Sequence, residues 1–357
     1  MKTNRLYLDI HAIQSLPPSN VNRDDTGSPK TAQYGGVRRA RVSSQSWKRA
    51  MRRYFHEEAS EKNLGTRTLY VAHYVADKIQ KLDGNMPQED AMALAVQTLK
   101  KAGLRLNKDN QTGALFFIGD RQARDLAQAA LDGIDKKADL QAVLKDNPAI
   151  DIALFGRMVA DSTNLNEDAS SQVAHALSTH AVETEFDYFT AVDDESPEDH
   201  AGAGMIGTVE YNSSTLYRYA NVAAHELLHQ LGNKEAVVDA LVLYLESFVK
   251  SMPTGKVNTF ANQTLPQTLL VSLRVDRPIN LVSAFETPVV SREGYLKPSA
   301  ERLLAEVERV EKFAQPALWT IYLSMDDLVQ PEGLLEADGL DNLLEQVRQT
   351  LTQQLED

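Results

Sequence analysis

The sequence has 357 residues, 43% of them hydrophobic, enough to bury a full core and long enough for about two domains or one domain with a large insertion. It carries 37 basic against 50 acidic side chains, a net charge of −13, which argues against polyanion binding by overall charge and confines any nucleic-acid contact to a local patch. The lack of cysteine excludes disulfides, thiolate zinc sites and cysteine nucleophiles, and fits a reducing cytoplasm.

Residues 5–14 alternate polar and apolar positions and predict a half-buried strand. The opening residues lack the apolar stretch of a signal peptide, and the best apolar run, 236–249, is broken by Asp239 and Glu246, so a cytoplasmic chain without a membrane is expected. Residues 20–36, rich in Asn, Asp, Gly, Ser and Pro, predict a long loop. Ser43 to Ser46 then offer capping hydroxyls before Trp47, Met51, Tyr54 and Phe55, whose spacing makes one apolar face of a helix running to about Ala59. From residue 67 to residue 180 the pattern is helical and is expected to form an insertion. Strands at 186–192 and 208–220, joined by a Gly- and acid-rich tip, predict a protruding hairpin. Helices at 222–231 and 234–250, a strand at 268–274, a helix at 301–313, a strand at 318–324 and a helix at 340–355 complete the chain. This order is that of an α+β protein with a split βαβ, ferredoxin-like sheet carrying a helical insert.

The strongest local signal is charge segregation. No acidic residue lies between Thr26 and His56. The sixteen positions 38–53 hold seven cations, Arg38, Arg39, Arg41, Lys48, Arg49, Arg52 and Arg53, where composition would place about 1.7. Lys48/Arg52 and Arg49/Arg53 are i, i+4 pairs of like charge, which repel unless an anion lies across them. Ser43, Ser44 and Gln45 stand where the N–H groups and the positive end of the helix dipole would meet a phosphate. The competing reading is a solvated helix face balanced by acidic surface elsewhere.

Tyr188 and Phe189 at the root of the hairpin, and Met158 between helices, are candidates to stack on bases or wedge between them. Neighbouring strand residues point to opposite faces, so the two rings cannot both be core; for either alone, burial is the competing reading. His225-Glu226-Leu227-Leu228-His229 satisfies H-E-x-x-H on a predicted helix, which makes a zinc-dependent metallohydrolase the alternative function. A third zinc ligand is nominated only by Glu235 or a distant carboxylate. Asp24-Asp25 and Asp193-Asp194-Glu195 could hold a divalent metal for phosphodiester cleavage, although such pairs more often solvate loops. No Ser-His-Asp order, P-loop or dinucleotide fingerprint is present, and no catalytic residue, cofactor or metal is expected.

Several segments in order resemble the CasC family, the backbone subunit of the type I-E CRISPR Cascade, the CRISPR-associated complex for antiviral defence. They are Asn22-Arg23-Asp24-Asp25, the run from Gly35-Gly36-Val37-Arg38 to Ala50-Met51-Arg52, Asp151-Ile152-Ala153-Leu154-Phe155-Gly156-Arg157-Met158, Ala174-His175-Ala176 with Thr179-His180, Asp187-Tyr188-Phe189-Thr190-Ala191-Val192-Asp193-Asp194, and Tyr217-Arg218-Tyr219-Ala220-Asn221. Ser283-Ala284-Phe285-Glu286 and Pro298-Ser299 carry the likeness further along.

The resemblance implies a right-hand shape. A modified RNA-recognition-type palm (1–62 and 223–357) would carry helical fingers (63–180) and a thumb hairpin (181–222). Copies would stack along the spacer of a CRISPR RNA (crRNA) and present it for pairing with the protospacer strand of invading DNA. Other implied partners are the large subunit, the small subunit, the 5′-handle-binding subunit and the crRNA-processing endonuclease. By motif, Arg23, Lys30, Ser43, Gln45, Lys48, Arg49 and Arg52 would hold the RNA backbone, and Met158, Tyr188 and Phe189 would form the wedge; Arg38, Arg39 and Arg41 join the RNA-binding set on charge alone. The sequence departs from the family where Val37 replaces a lysine and Tyr188 a tryptophan, and H-E-x-x-H is not a family motif.

Overall fold

The computed structural model describes residues 5–59, 63–159, 162–191, 205–328 and 333–356. Strand β1 (Tyr7–Ser19) leads through β2 (Thr31–Tyr34) and β3 (Val37–Val42) to helix α1 (Ser44–Glu58). An insertion follows: β4 (Gly65–Thr68), α2 (Val71–Leu82), α3 (Gln88–Lys101), β5 (Phe116–Gly119), α4 (Asp120–Leu131), α5 (Lys137–Lys145) and α6 (Ile150–Phe155). Short strands β6 (Ser171–Val173) and β7 (Ala176–Ser178) precede β8 (Glu185–Ala191) and the long β9 (Met205–Ala223). Helices α7 (Ala224–Leu231), α8 (Lys234–Lys250) and the single turn α9 (Val257–Phe260) lead to β10 (Thr268–Arg274). The chain ends with α10 (Leu296–Val310), β11 (Trp319–Ser324), β12 (Leu335–Glu336) and α11 (Leu340–Glu356).

β1 lies between β9 and β10, antiparallel to both, with Ile10 opposite Ala220 on one side and Val271 on the other. β7 pairs with the far edge of β9, and β11 with the far edge of β10, again antiparallel. The order β10-β1-β9-β7 is that of two interlocked split βαβ units, as the order of elements predicted. The first runs from β1 through α1 to β7, the second from β9 through α7 and α8 to β10.

Both faces of this sheet are covered. On one, Met51, Phe55, Leu241, Phe248 and Val347 from α1, α8 and α11 pack on Leu8, Ile10, Val222 and Val271. On the other, Leu303, Leu304 and Val307 of α10, with Phe285, pack on Ile13, Tyr217, Leu270 and Tyr322. The half-buried strand expected at 5–14 is therefore corrected: β1 is buried from both sides, and its polar residues Asp9 and His11 lie under α10. There Asp9 accepts from the Tyr219 hydroxyl at 2.8 Å and from Ile279 N–H at 3.0 Å, while His11 Nδ1 lies 2.9 Å from the Tyr217 hydroxyl. An open sheet face, the usual stacking platform of RNA-recognition-type folds, is not available here.

The long loop expected at 20–36 is also corrected, because its second half forms the β2–β3 hairpin. Gly35 and Gly36 have φ of +60° and +78°, the two positive values that a type I′ turn requires. A Cβ on Gly35 would stand 1.6 Å from Glu286 O, so glycine is needed there for close approach as well as for the turn.

The insertion has its own core of Val75, Ile79, Leu99, Leu126 and Leu140, and joins the sheet through α6 and the β4–β5 ladder. Buried Arg157 knits it together, donating to the carbonyls of Leu165, Leu144 and Phe117. Helical character ends before residue 171, since β6 and β7 belong to the main sheet. β9 likewise continues through Ala223 where a helix was expected from 222, and α10 starts at Leu296 instead of 301. Among the described residues no helix is long and apolar enough to cross a membrane.

Candidate nucleic-acid interface

Helix α1 starts where the hydroxyl pattern placed it. Ser43 is the N-cap and accepts the Ser46 N–H at 3.3 Å, while its own N–H donates to Asn22 Oδ1 at 2.8 Å. The Ser44 N–H donates to His175 Nδ1 at 3.2 Å, so part of the expected row of free N–H groups is used inside the protein. Because a backbone N–H can only donate, Nδ1 is the bare nitrogen of His175 and Nε2 carries the proton in the neutral ring. Burial, then Arg41, Lys30 and Lys48, hold this imidazole below its ordinary range. His175 is thus a neutral donor among three cations, a role that charge counting did not find.

The two like-charge pairs of α1 lie on different flanks, as the 100° step between adjacent helical residues dictates. Arg49 and Arg53, with Ser46 and Ala50, line a cleft of about 800 Å³ that Arg23, Asp24, Lys250 and Lys256 also border. Lys48 and Arg52 face the insertion. The Arg52 guanidinium lies 5.8 Å from the Phe117 ring centre and 6.0 Å from that of Phe155. Burial first, then Arg52 and Arg67, depress the Lys48 ammonium; burial first, then Arg67, depress Arg52. Among the described residues none of Lys30, Lys48, Arg49, Arg52 and Arg67 forms an ion pair, whereas Arg53 stands 3.6 Å from Glu57. Arg67, contributed by β4, was outside the charge-rich run in sequence and is brought to it by the fold.

One of the expected cations is removed from the set. Arg39 is fully buried, and its guanidinium donates to the carbonyls of Tyr34, Ser178 and Phe285 at 3.1, 3.0 and 2.7 Å, clamping the β2–β3 hairpin to the segment before α10. With its donors committed to carbonyls, Arg39 serves packing and is not a phosphate ligand. Arg23, Arg38, Gln45 and Arg49 are exposed, and Lys30, Arg41, Lys48 and Arg52 half-buried.

On the β8–β9 hairpin, Tyr188 is 76% and Phe189 40% exposed, on opposite faces, so neither belongs to the core; Met158 is 85% exposed. Phe189 lies opposite Gly207 and covers it, for a Cβ there would come within 2.3 Å of the ring. The acidic tip, Asp193 to Glu195, lies outside the described residues.

The metal readings find no support in the geometry. His225 Nδ1 lies 3.0 Å from Leu6 O and 3.2 Å from Leu6 N, and its ring packs edge-on against Tyr7, tying α7 to the start of β1. Asp24 Oδ1 accepts from Thr26 N–H, Thr26 Oγ1 and Ser28 N–H and closes its own turn. Among the described residues no group of three His, Cys, Asp or Glu could hold a metal.

Beneath the cationic flank, fully buried Asp151 accepts the Gly65 N–H at 2.8 Å through Oδ1, while Oδ2 has no partner among the described residues. Burial pushes its carboxyl up to about 7, as it does for Asp9. A folded pKa above the unfolded one gives stability that is complete at low pH and lost as pH rises through about 7. His11, pushed down from 6.5 to about 3, acts oppositely: its contribution is complete above about 6.5 and is lost as pH falls from there toward 3. Asp9 and Asp151 thus make melting temperature fall as pH rises toward 7, against the opposite contributions of His11, His175 and His180 below about 6.5. Asp151→Asn should lessen that fall by roughly 2 °C or more; identical pH profiles for variant and wild type would contradict the assignment.

A model of the family described as CT1975-like protein matches residues 8–347. A chain of a solved "CRISPR RNA-guided surveillance complex, pre-nicking" is similar with a TM-score of 0.87 and 32% identity, covering 97% of this chain and 100% of that one. A chain of a second structure, "CRISPR RNA-guided surveillance complex", is similar with a TM-score of 0.76 and 28% identity, covering 96% and 99% respectively. No curated protein matches the chain.

Proposed function

The chain belongs to the CT1975-like protein family, and we propose that it is the non-catalytic crRNA-binding backbone subunit of a Cascade-type surveillance complex, of the type I-E, CasC kind. The observation that carries this reading is the cationic flank of α1, Lys48 and Arg52 with Lys30 and His175 beside it, whose cations have no ion pair among the described residues, in a protein whose net charge is strongly negative. A polyanion is the natural counter-charge for such a cluster. In this reading the sheet and its helices are the palm, the insertion is the fingers, and β8–β9 is the thumb. Arg23, Lys30, Arg38, Arg41, Ser43, Gln45, Lys48, Arg49 and Arg52 hold phosphates; Met158, Tyr188 and Phe189 separate bases. Other copies of the chain, the remaining Cascade subunits and, through the RNA, target DNA are its partners. Guide and target then carry sequence recognition by base pairing while the protein reads backbone and shape, as the division of labour in another CRISPR effector illustrates.

Binding of labelled single-stranded RNAs of unrelated sequence to the purified chain tests the proposal. Affinities within a few-fold of one another are expected, and a strong preference for one sequence would sink the backbone-grip reading. Phe189→Ala should cost about 1–2 kcal/mol of binding with little change in melting temperature, since the ring is 40% exposed on a protruding hairpin.

A further inference from the structure

We infer that Arg67 forms, with Lys48 and Arg52, a further phosphodiester-binding subsite at the junction between α1 and the β4–β5 ladder, over which the bound strand leaves the palm toward the insertion. The inference rests on the RNA-binding reading above and extends it to a residue from a different part of the fold.

Phe117 is the floor of the subsite. It is 5% exposed, Arg52 lies over its ring at 5.8 Å, and Arg67 is its direct cross-strand partner in the antiparallel β4–β5 ladder. Directly opposed residues have Cβ atoms about 5 Å apart on the same face, so Arg67 and Arg52 flank one aromatic surface. Lys48 stands one turn before Arg52 on α1 and is near enough to feel both guanidinium charges. Three cations therefore converge where two elements of the fold meet. No ion pair neutralises any of them among the described residues; the buried Asp151 carboxyl beneath, with Oδ1 on the Gly65 N–H, attracts Arg52 and is one acidic group against three cations. A cluster of this kind is self-repelling without an anion, and two guanidinium forks beside an ammonium suit the non-bridging oxygens of a phosphodiester. The same chemistry is presented by the guide RNA and by a complementary DNA strand paired to it.

Four single variants of the full chain, Arg67→Ala, Arg67→Lys, Lys48→Ala and Lys108→Ala, separate the possibilities; Lys108 is an exposed cation of the same insertion outside the subsite. Binding of a labelled single-stranded RNA is titrated from about 50 to 300 mM salt, followed by capture of complementary DNA on the RNA-loaded protein. Arg67→Ala is expected to weaken RNA binding roughly 5- to 10-fold and to lower the salt slope by about 0.7, with Arg67→Lys recovering most of the loss and Lys108→Ala none. Intact RNA binding with weakened DNA capture in Arg67→Ala also supports the subsite and assigns the DNA strand as its source. If Lys48→Ala weakens binding while Arg67→Ala changes neither step, the subsite is refuted and the RNA-binding reading stands. If neither variant changes RNA binding or DNA capture, the RNA-binding reading itself fails and the inference with it. A loss equal for Arg67→Ala and Lys108→Ala would mean a diffuse field in place of a site and would also overturn the inference.

Discussion

Replacing Lys48 and Arg52 together by alanine is expected to weaken binding of single-stranded RNA roughly 100-fold near 0.15 M salt, and to flatten its salt dependence by about 1.4 counterions. Each charge-assisted hydrogen bond to a phosphate oxygen contributes about 1.5 kcal/mol or more, and the two residues share one flank, so their losses combine. The folded state should tolerate the change. Neither side chain is ion-paired among the described residues, and removing a like-charge i, i+4 pair relieves repulsion, so melting temperature is expected to hold or rise slightly. Gel shift or anisotropy over a salt series, paired with thermal unfolding, reads both quantities. RNA binding that survives the double variant unaltered would refute the grip; a large loss of stability would mean that Arg52 serves chiefly to pack Phe117 and Phe155.

In the proposed reading, the position of the grip follows from what the fold covers. With α10 over one face of the sheet and α1, α8 and α11 over the other, bases have no open sheet on which to stack. Polar contact is displaced to the margin, where α1 begins, where the β2–β3 hairpin folds back, and where β8–β9 projects. Those are the segments in which cations and exposed rings concentrate.

How far residues alone predict such a site varies from element to element. The N-cap serine and the apolar spacing of Trp47, Met51 and Phe55 are local signals, and α1 starts and ends where they indicate. β10 matches its expected span for the same reason: a short β-branched and leucine-rich run between turn residues has few alternatives. β1 differed because alternation records which positions are polar, not whether a later helix will cover them; Asp9 and His11 find partners in Tyr219, Ile279 and Tyr217, more than 200 residues away. The Gly35-Gly36 turn was legible in principle, since two adjacent glycines between β-prone residues mark a type I′ hairpin, but the surrounding Asn, Asp and Pro masked it. Arg39 and Arg41 share a face of β3 under the two-residue period, yet one is clamped by three carbonyls and the other remains half-exposed. That difference depends on where Phe285 lies, which no local pattern encodes. Arg67 and His175 join the cationic flank for the same long-range reason.

The largest effect on stability is expected from Arg218→Ala, about 3–5 kcal/mol. Arg218 is 2% exposed, and its guanidinium is held between two aromatic faces, 3.7 Å from the Trp47 ring centre and 4.2 Å from that of Phe248. It donates to Gln14 Oε1 and to Phe248 O, each at 2.6 Å. Burial brings its pKa down to about 9, so the group is charged at neutral pH. A buried cation without a carboxylate survives because two oxygens and two ring faces replace its hydration. Truncation leaves both oxygens unpaired and opens a void between the rings. Lysine at this position keeps the charge but not the planar fork, so Arg218→Lys should recover less than half of the loss. The consequence reaches the interface, since Trp47 immediately precedes Lys48 on α1 and Arg218 lies on the strand that extends into the β8–β9 hairpin. Loosening the sandwich should therefore lower RNA affinity several-fold even at temperatures where the variant is fully folded. Urea unfolding and RNA titration of the same samples measure the two effects; an unfolding midpoint equal to wild type for Arg218→Ala would remove the sandwich from any role in holding α1 against β9.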